Sequence, residues 1–440
     1  MIAVLAVSAA LLLQQDTSMQ HMHMQHDTMH HDTMQMDMQH DMNGMNSQML
    51  MARMGDFSAM AMPQAFPTYT TFAPRTHGTA LDNSGVYITQ PAVMANISNH
   101  DASVVLRATL NFESWTQPHG ELTAGAWGEG YIDKRHPHTL LHELTVSWNR
   151  GSARKGFSVS AGKGFAPYGT DDPMSRPVLK YPTNHHLSQV LERWFVSGVF
   201  AYRTWGLEAG TFSGDEPNGP DDLSNYHHFG NSWSARLTRR LGSDEMARWP
   251  LEISASYADV KEYHHSIGQR IRLENVAVRH EKDHGSVRLY VLAEASHSKP
   301  QDDDAYFSIL AESALRWHAH QPYARFELST RPEYARLGNA TSDAVFRYDH
   351  DAAPIGASRW LTFTGGYGYT ALNRRISPRP YIEAQYNHAT LERGILDPAS
   401  IFGRSGFGSI SPGVRIFLGG DPMRMGTYGV LDPMRAMHSH

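Results

Sequence analysis

"VVLRATLNFE", residues 104–113, sets Val104, Leu106, Ala108, Leu110 and Phe112 on one face of an extended chain and Arg107, Thr109, Asn111 and Glu113 on the other. Successive side chains of a strand point to opposite faces, so this run reads as a strand with one apolar and one polar face. "LLHELTVSW", residues 140–148, repeats the pattern, with Leu140, Leu144, Val146 and Trp148 opposed to Glu143, Thr145 and Ser147. Further along, Leu251, Ile253, Ala255 and Tyr257 oppose Glu252, Ser254 and Ser256, and Val287, Leu289, Val291 and Ala293 oppose Arg288 and Glu294. Near the end, Ile382, Ala384 and Tyr386 oppose Glu383, Gln385 and Asn387, while Val414, Ile416 and Leu418 flank Arg415. Turns rich in Gly, Pro, Asn and Asp separate these runs.

One-sided strands suit a soluble sandwich or propeller with apolar faces inward, or a membrane barrel with apolar faces turned to lipid. Loop lengths separate the two. Short connections fall near 116–120, 149–154, 202–204, 242–249, 282–285, 318–321 and 372–378. Long ones lie between them, near 132–138, 166–188, 214–230, 262–270, 298–304, 332–359 and 392–406. Alternation of short turns and long loops is the habit of outer-membrane barrels, and a sandwich has no reason to keep it. The expected fold is all-β, a transmembrane antiparallel β-barrel of about 16 strands (14–16) over residues 85–420. Fifteen strands are counted from about residue 102 to 418, and "GVYITQPAVM" at 85–94 supplies a first. Parity sends the strand from 102 down into a short turn, so the strand before it rises from the periplasm and both chain ends are expected to be periplasmic. Trp115, Trp127, Trp148, Trp194, Trp205, Trp233, Trp317 and Trp360 lie in or beside the strands, as interfacial girdle residues do.

Composition narrows the function. A net charge of −6, with both signs interspersed over 440 residues, gives no nucleic-acid surface. The absence of cysteine excludes disulfides, thiolate metal sites and cysteine catalysis, so any soft metal ligand must be methionine. The apolar run Ile2–Leu13 has the length of a signal-peptide core, and residues 1–15 are expected to be one.

Residues 16–84 are expected to be a disordered, Met/His-rich periplasmic segment, since fourteen methionines lie between Met19 and Met62 and six histidines between His21 and His40. Thioether sulfur suits Cu(I) and imidazole suits Cu(II), Zn and Ni. The candidate metal ligands are His21, Met22, His23, Met24, His26, Met29, His30, His31, Met34, Met36, Met38, His40 and Met42. Copper ions are the bound species this set favours, and no cofactor is required. The bland alternative is a passive polar spacer or docking segment. Residues 421–440 are expected to form a C-terminal periplasmic tail, sparsely repeating the theme with Met423, Met425, Met434, Met437, His438 and His440.

Residues 85–420 resemble a bacterial outer-membrane porin-type β-barrel in strand pattern, and "SPGVRIFLGG" is similar to the closing strands of that class. That class usually ends at such a strand, whereas here a further tail follows Phe417. The N-terminal tract resembles the Met/His-rich segments of bacterial copper-resistance proteins. The resemblance implies residence in the bacterial outer membrane, contact with its lipid, and passage of small polar solutes or metal ions, with oligomeric state open.

On this reading the polar strand faces line a lumen. Its candidate pore-lining residues are Arg107, Glu113, Glu143, Glu252, Arg288, Glu294, Glu312, Arg316, Arg325, Glu327, Glu383 and Arg415. The loop "APYGTDDPMSRPVLKYPTNHH", residues 166–186, is long enough to fold inward as a constriction. No catalytic residue is assigned. A barrel hydrolase built from Asp171, His185, His186 and Ser188 stays open as the minor alternative.

Overall fold

The computed structural model describes residues 50–77, 79, 84–116, 139–217, 219–242, 251–264, 267–284, 287–333, 336–337, 346–347, 355–371, 376–419, 424–433 and 435. The first half of the chain forms β1 (Leu50–Met54), β2 (Phe57–Ala73), β3 (Ser84–Asn99), β4 (Val104–Asn111), helix α1 (Glu113–Thr116), β5 (Leu141–Gly151), β6 (Lys155–Gly164), β7 (Arg193–Tyr202), β8 (Trp205–Phe212) and β9 (Ser232–Leu241). The second half adds β10 (Leu251–His264), β11 (Ile267–His284), β12 (Val287–Pro300), β13 (Tyr306–Trp317), β14 (His320–Glu333), β15 (Arg336–Leu337), β16 (Phe346–Arg347), β17 (Gly356–Tyr369), β18 (Ile376–Gly394), helix α2 (Pro398–Phe402) and β19 (Gly406–Leu418).

Sixteen strands, β2–β14 and β17–β19, pair antiparallel with their neighbours, and β19 returns to pair with β2. The sheet is therefore a closed barrel with no free edge. β1 lines up against the start of β2, Leu50 opposite Ala61, and β15 with β16 makes a separate small ribbon in the β14–β17 connection.

The polarity is inside out. In β4, Val104, Leu106 and Leu110 are exposed, while Arg107, Thr109 and Asn111 are buried. In β5, Leu144, Val146 and Trp148 are exposed, and Glu143, Thr145 and Ser147 are buried. The wall turns its apolar side chains outward and buries its charges, the reverse of a soluble sandwich. One rim carries tight turns after β3, β5, β7 and β13, and outward aromatics gather beside it: Trp148, Tyr202, Trp205, Trp317 and Tyr369. The other rim carries the long connections after β4, β6, β8 and β14. β2 begins and β19 ends at the short-turn rim.

The structure departs from the sequence reading in several places. The barrel begins at Phe57 rather than residue 85, because "FSAMAMPQAFPTYTTFA" is a wall strand with Met60 and Met62 buried. Its methionines and two prolines disguised it, and the register shifts between Gln64 and Phe66 where the prolines interrupt regular pairing. β4 climbs from a short turn at residues 100–103 instead of descending into one, and Ala102 holds that turn at φ 50°. The connection expected near 116–120 belongs instead to the long span after β4, of which residues 117–138, with Trp127, lie outside the described residues. Residues 262–270 are mostly strand, since β10 and β11 run on as a long hairpin. Trp360 points inward, packed edge-on against Phe402 and Phe407. The thirteen candidate metal ligands at 21–42 lie outside the described residues.

Candidate functional site

Sixteen strands enclose more space than wall side chains alone fill. Two segments occupy it. One is the connection between β6 and β7, residues 165–192, buried along nearly its whole length. The other follows β19: Met425, Tyr428, Val430 and Asp432 are all buried inside the barrel. The expected free tail is thus in part an interior element, a correction that periodicity could not have supplied because its contacts are far off in sequence.

The inward loop is tied to the wall by hydrogen bonds around the circumference. Gly169 N donates to Ser256 Oγ (2.8 Å), Leu179 N to Glu383 Oε2 (2.9 Å), Thr183 N to Glu327 Oε2 (2.7 Å), and Asn184 Nδ2 to the Thr330 carbonyl (2.9 Å). Lys180 Nζ donates to Ser409 Oγ (2.8 Å), and Arg325 Nη1 to the Lys180 carbonyl (2.6 Å). Asp172 caps a turn of 3-10 helix by accepting from Met174 N (2.7 Å). Arg176 is the centre of the charge network. Its Nη1 lies 3.3 Å from Glu294 Oε1 and 4.0 Å from Glu312 Oε1, and its Nη2 donates to Thr170 Oγ1 (2.7 Å). Thr170 Oγ1 in turn donates to Glu294 Oε2 (2.6 Å), and Arg279 pairs with Asp171 (2.5 Å). Beside the loop, buried His142 meets Glu192 through Nδ1 (2.5 Å) and Asp172 through Nε2 (3.7 Å).

The segment after β19 is held from the short-turn half. Arg107 forms an ion pair with Asp432, donates to the Thr427 carbonyl (3.4 Å), and lies over the Tyr428 ring. Phe165 N donates to Tyr428 Oη (3.0 Å), and the Tyr428 ring stacks on Phe195. Val430 N donates to Ser158 Oγ (3.0 Å). Arg236 Nη1 donates to the Gly169 carbonyl (3.1 Å) and Nη2 to the Gly426 carbonyl (2.7 Å), so one guanidinium clamps loop and segment together. At the rim, Arg435 donates to the carbonyls of Ala102 (3.1 Å) and Gly151 (2.8 Å).

Eight of the twelve candidate lumen residues divide between these two occupants, and the other four meet the wall or its ends. Glu294, Glu312, Arg325, Glu327 and Glu383 meet the loop or the residues that hold it; Arg325 pairs with Glu312 (2.8 Å) and approaches Glu327 (3.6 Å). Arg107 and Glu143 (3.9 Å apart) stand beside the C-terminal segment, and Glu252 pairs with its Arg424 (2.7 Å). Arg415 lies over the rings of Phe66, Tyr323 and Tyr381. Arg288 pairs with Glu281, and Arg316 is half-buried opposite Arg288 on β13. Glu113 sits on α1 rather than on a strand and accepts from Thr89 Oγ1 (3.1 Å) and Gln90 N (3.2 Å). Sequence reading missed Arg236, which shares a face with Ser232, Ser234, Thr238 and Arg240, and Arg279, which follows outward Val276 and Val278 on a strand whose two faces both carry charge. A cavity of about 40 Å³ remains between the two fillers, lined by Arg236, Arg240, Arg279, Arg424, Glu208 and Glu252 among others, and holds no more than a few waters.

The hydrolase residues form no catalytic chain. Ser188 Oγ donates to the His185 carbonyl (3.2 Å) rather than to an imidazole, and Asp171 is taken up by Arg279. Among the described residues no group of three or more His, Cys, Asp or Glu is placed to hold a metal ion.

No family model and no curated protein matches the chain. Solved structures similar to it include OmpT, an outer membrane protein of Vibrio cholerae, at 11% identity and a TM-score of 0.46, covering 84% of this chain and 99% of that one. OmpF of Salmonella typhi, in complex with daunomycin, is similar at 8% identity and 0.47, covering 84% and 100%. An anion-selective porin from Comamonas acidovorans is similar at 10% identity and 0.44, covering 82% and 99%.

Proposed function

We propose that the chain is a channel of the bacterial outer membrane that passes small polar solutes or metal ions, with a periplasmic Met/His tail that captures copper. The observation that carries the channel reading is the inside-out wall: exposed Leu106, Val146, Leu207 and Ile253 face lipid, and a lumen of ionised side chains holds segments that are not part of the wall. A barrel serving only as an anchor has no use for a wide, charged interior filled by separate pieces of chain. With the short-turn rim periplasmic, as in barrels of this kind, and β2 beginning at that rim, the tail at 19–42 belongs to the periplasmic compartment. There its thioethers and imidazoles raise the local concentration of soft and borderline ligands.

Two measurements test the two halves. The purified chain in planar bilayers gives discrete conductance steps; a folded, heat-modifiable barrel that never conducts would falsify the channel reading. Cu(I) and Cu(II) titration of the full chain against one lacking residues 19–42 gives tight binding only with the tail present. Equal binding by both chains leaves the tail as a passive or docking segment.

A further inference from the structure

We infer that the segment 424–435 is a built-in plug, docked in the short-turn half of the lumen and released as a unit to open the passage. The inference rests on the channel reading and extends it to regulation.

Three features mark the segment as an occupant of the lumen and not a part of the wall. The sixteen-strand sheet closes through β19 and β2, and among the described residues the segment adds no rung to any strand ladder. Its bonds to the wall run instead through side chains: Arg107, Ser158 and Arg236 from the barrel, and Arg424 and Arg435 from the segment. Leaving therefore breaks no backbone pairing of the barrel.

Next, each wall guanidinium that grips the segment has a second partner on the wall. Arg107 pairs with Asp432 of the segment and stands 3.9 Å from Glu143 on β5. Arg236 donates to the Gly426 carbonyl and also makes two bonds to Glu208 on β8, at 2.6 and 2.8 Å. A buried charge stripped of its partner is strongly unfavourable, but these two keep a carboxylate when the segment departs. The two guanidiniums are thus paired in both the plugged and the open wall, and Glu252, whose partner Arg424 leaves with the segment, keeps the attraction of Arg240; a two-state element requires such compensation.

The seat is also graded. Tyr428 and Met425 reach the apolar cluster that contains Met60, Met62, Met94 and Phe195, whereas Asp432 and Arg435 lie toward the rim turns at Ala102 and Gly151. The deep end is held by packing together with the bonds at Gly426 and Tyr428, and the outer end by polar contacts, so loosening the outer end is the route out.

The test uses the full chain, whose lack of cysteine makes introduced thiols unique. Asp432→Asn removes the charge that Arg107 grips and is expected to raise the open population roughly tenfold. It is read as higher mean conductance in planar bilayers. The pair Ser158→Cys/Val430→Cys places thiols where Oγ and backbone nitrogen are 3.0 Å apart. Oxidised, it is expected to hold the channel shut, and a reductant restores conduction. Independently of conduction, Val430→Cys alone is expected to react slowly with a maleimide, and roughly tenfold faster when combined with Asp432→Asn. Conductance equal to the parent in Asp432→Asn and in the oxidised pair, or labelling of the Val430→Cys thiol unaffected by Asp432→Asn, overturns the plug and leaves the channel reading standing. Silence of every variant, reduced and folded, overturns the channel reading and the plug with it.

Discussion

The two segments inside the barrel are both largely buried and differ in what they leave behind. The loop 165–192 is joined at both ends to wall strands, β6 and β7. Its departure strands wall charges: Glu294 takes its hydrogen bonds from Thr170 and Arg176, both loop residues. The segment 424–435 is gripped by Arg107 and Arg236, each of which also faces a wall carboxylate. Burial alone therefore does not tell which part of an interior moves. The deciding quantity is whether the partners are satisfied after it has gone.

The largest expected effect falls on the loop. Arg176→Met keeps the bulk of the side chain but leaves Glu294 without its cation, and breaking a buried pair on one side costs about 3–5 kcal/mol. Such a loss amounts to roughly a hundredfold or more in the loop's opening equilibrium. Thermolysin cleavage within 165–192, measured on the folded barrel in detergent, is expected to accelerate accordingly. Cleavage at the parent rate would erase the distinction between a fixed loop and a releasable segment.

A smaller effect is expected on the other side of the comparison. Tyr428→Phe removes the acceptor of the Phe165 N–H and leaves that donor buried and unpaired, at about 1–3 kcal/mol. Maleimide labelling of a Val430→Cys reporter is expected to rise about thirtyfold, while loop cleavage rises by less, since the loop's share in the lost bond is the Phe165 N–H beside the end of β6. Equal acceleration of both readouts would mean that the two fillers leave as one body, with Arg236 as their rivet.

Much of the wall was legible because alternation is local: the residues from Val104 to Asn111 declare their two faces without reference to anything distant. The shared rim of the two barrel ends was also recovered, although through two compensating errors. The turn at 100–103 carries neither Gly nor Pro and went unseen, while a turn assigned at 116–120 took its place. The interior was legible only as a set of charges. Arg107 and Asp432 are separated by 325 residues, and Lys180 and Ser409 by 229, so no pattern in either stretch announces the other. Sequence can say that a carboxylate such as Glu383 faces inward; that it receives the Leu179 N–H of a loop folded across the lumen is a property of the closed barrel.

Lys180 gives the comparison a pH axis. The side chain is fully enclosed at the far wall, donating to Ser409 Oγ, and burial pushes its ammonium down to about 8 against the opposing pull of Glu383. An undocked loop returns the lysine to water and to its ordinary value of 10.5. The docked state therefore binds fewer protons than the undocked one between those values, and docking strengthens as pH rises through that window. Below pH 8 the docked ammonium carries its desolvation cost in full. Loop opening is expected to fall roughly tenfold between about pH 7 and pH 9, read as slower proteolysis of 165–192 by a protease normalised for its own pH dependence. Lys180→Met flattens that profile, since the group that titrates is gone and Met fills a similar volume. The segment 424–435 carries neither lysine nor histidine, and it is gripped through the Arg107–Asp432 ion pair. Labelling of the thiol introduced by Val430→Cys, corrected for thiolate fraction, is expected to stay level over the same pH range. A parallel fall in both readouts would show that the loop's docking sets the segment's.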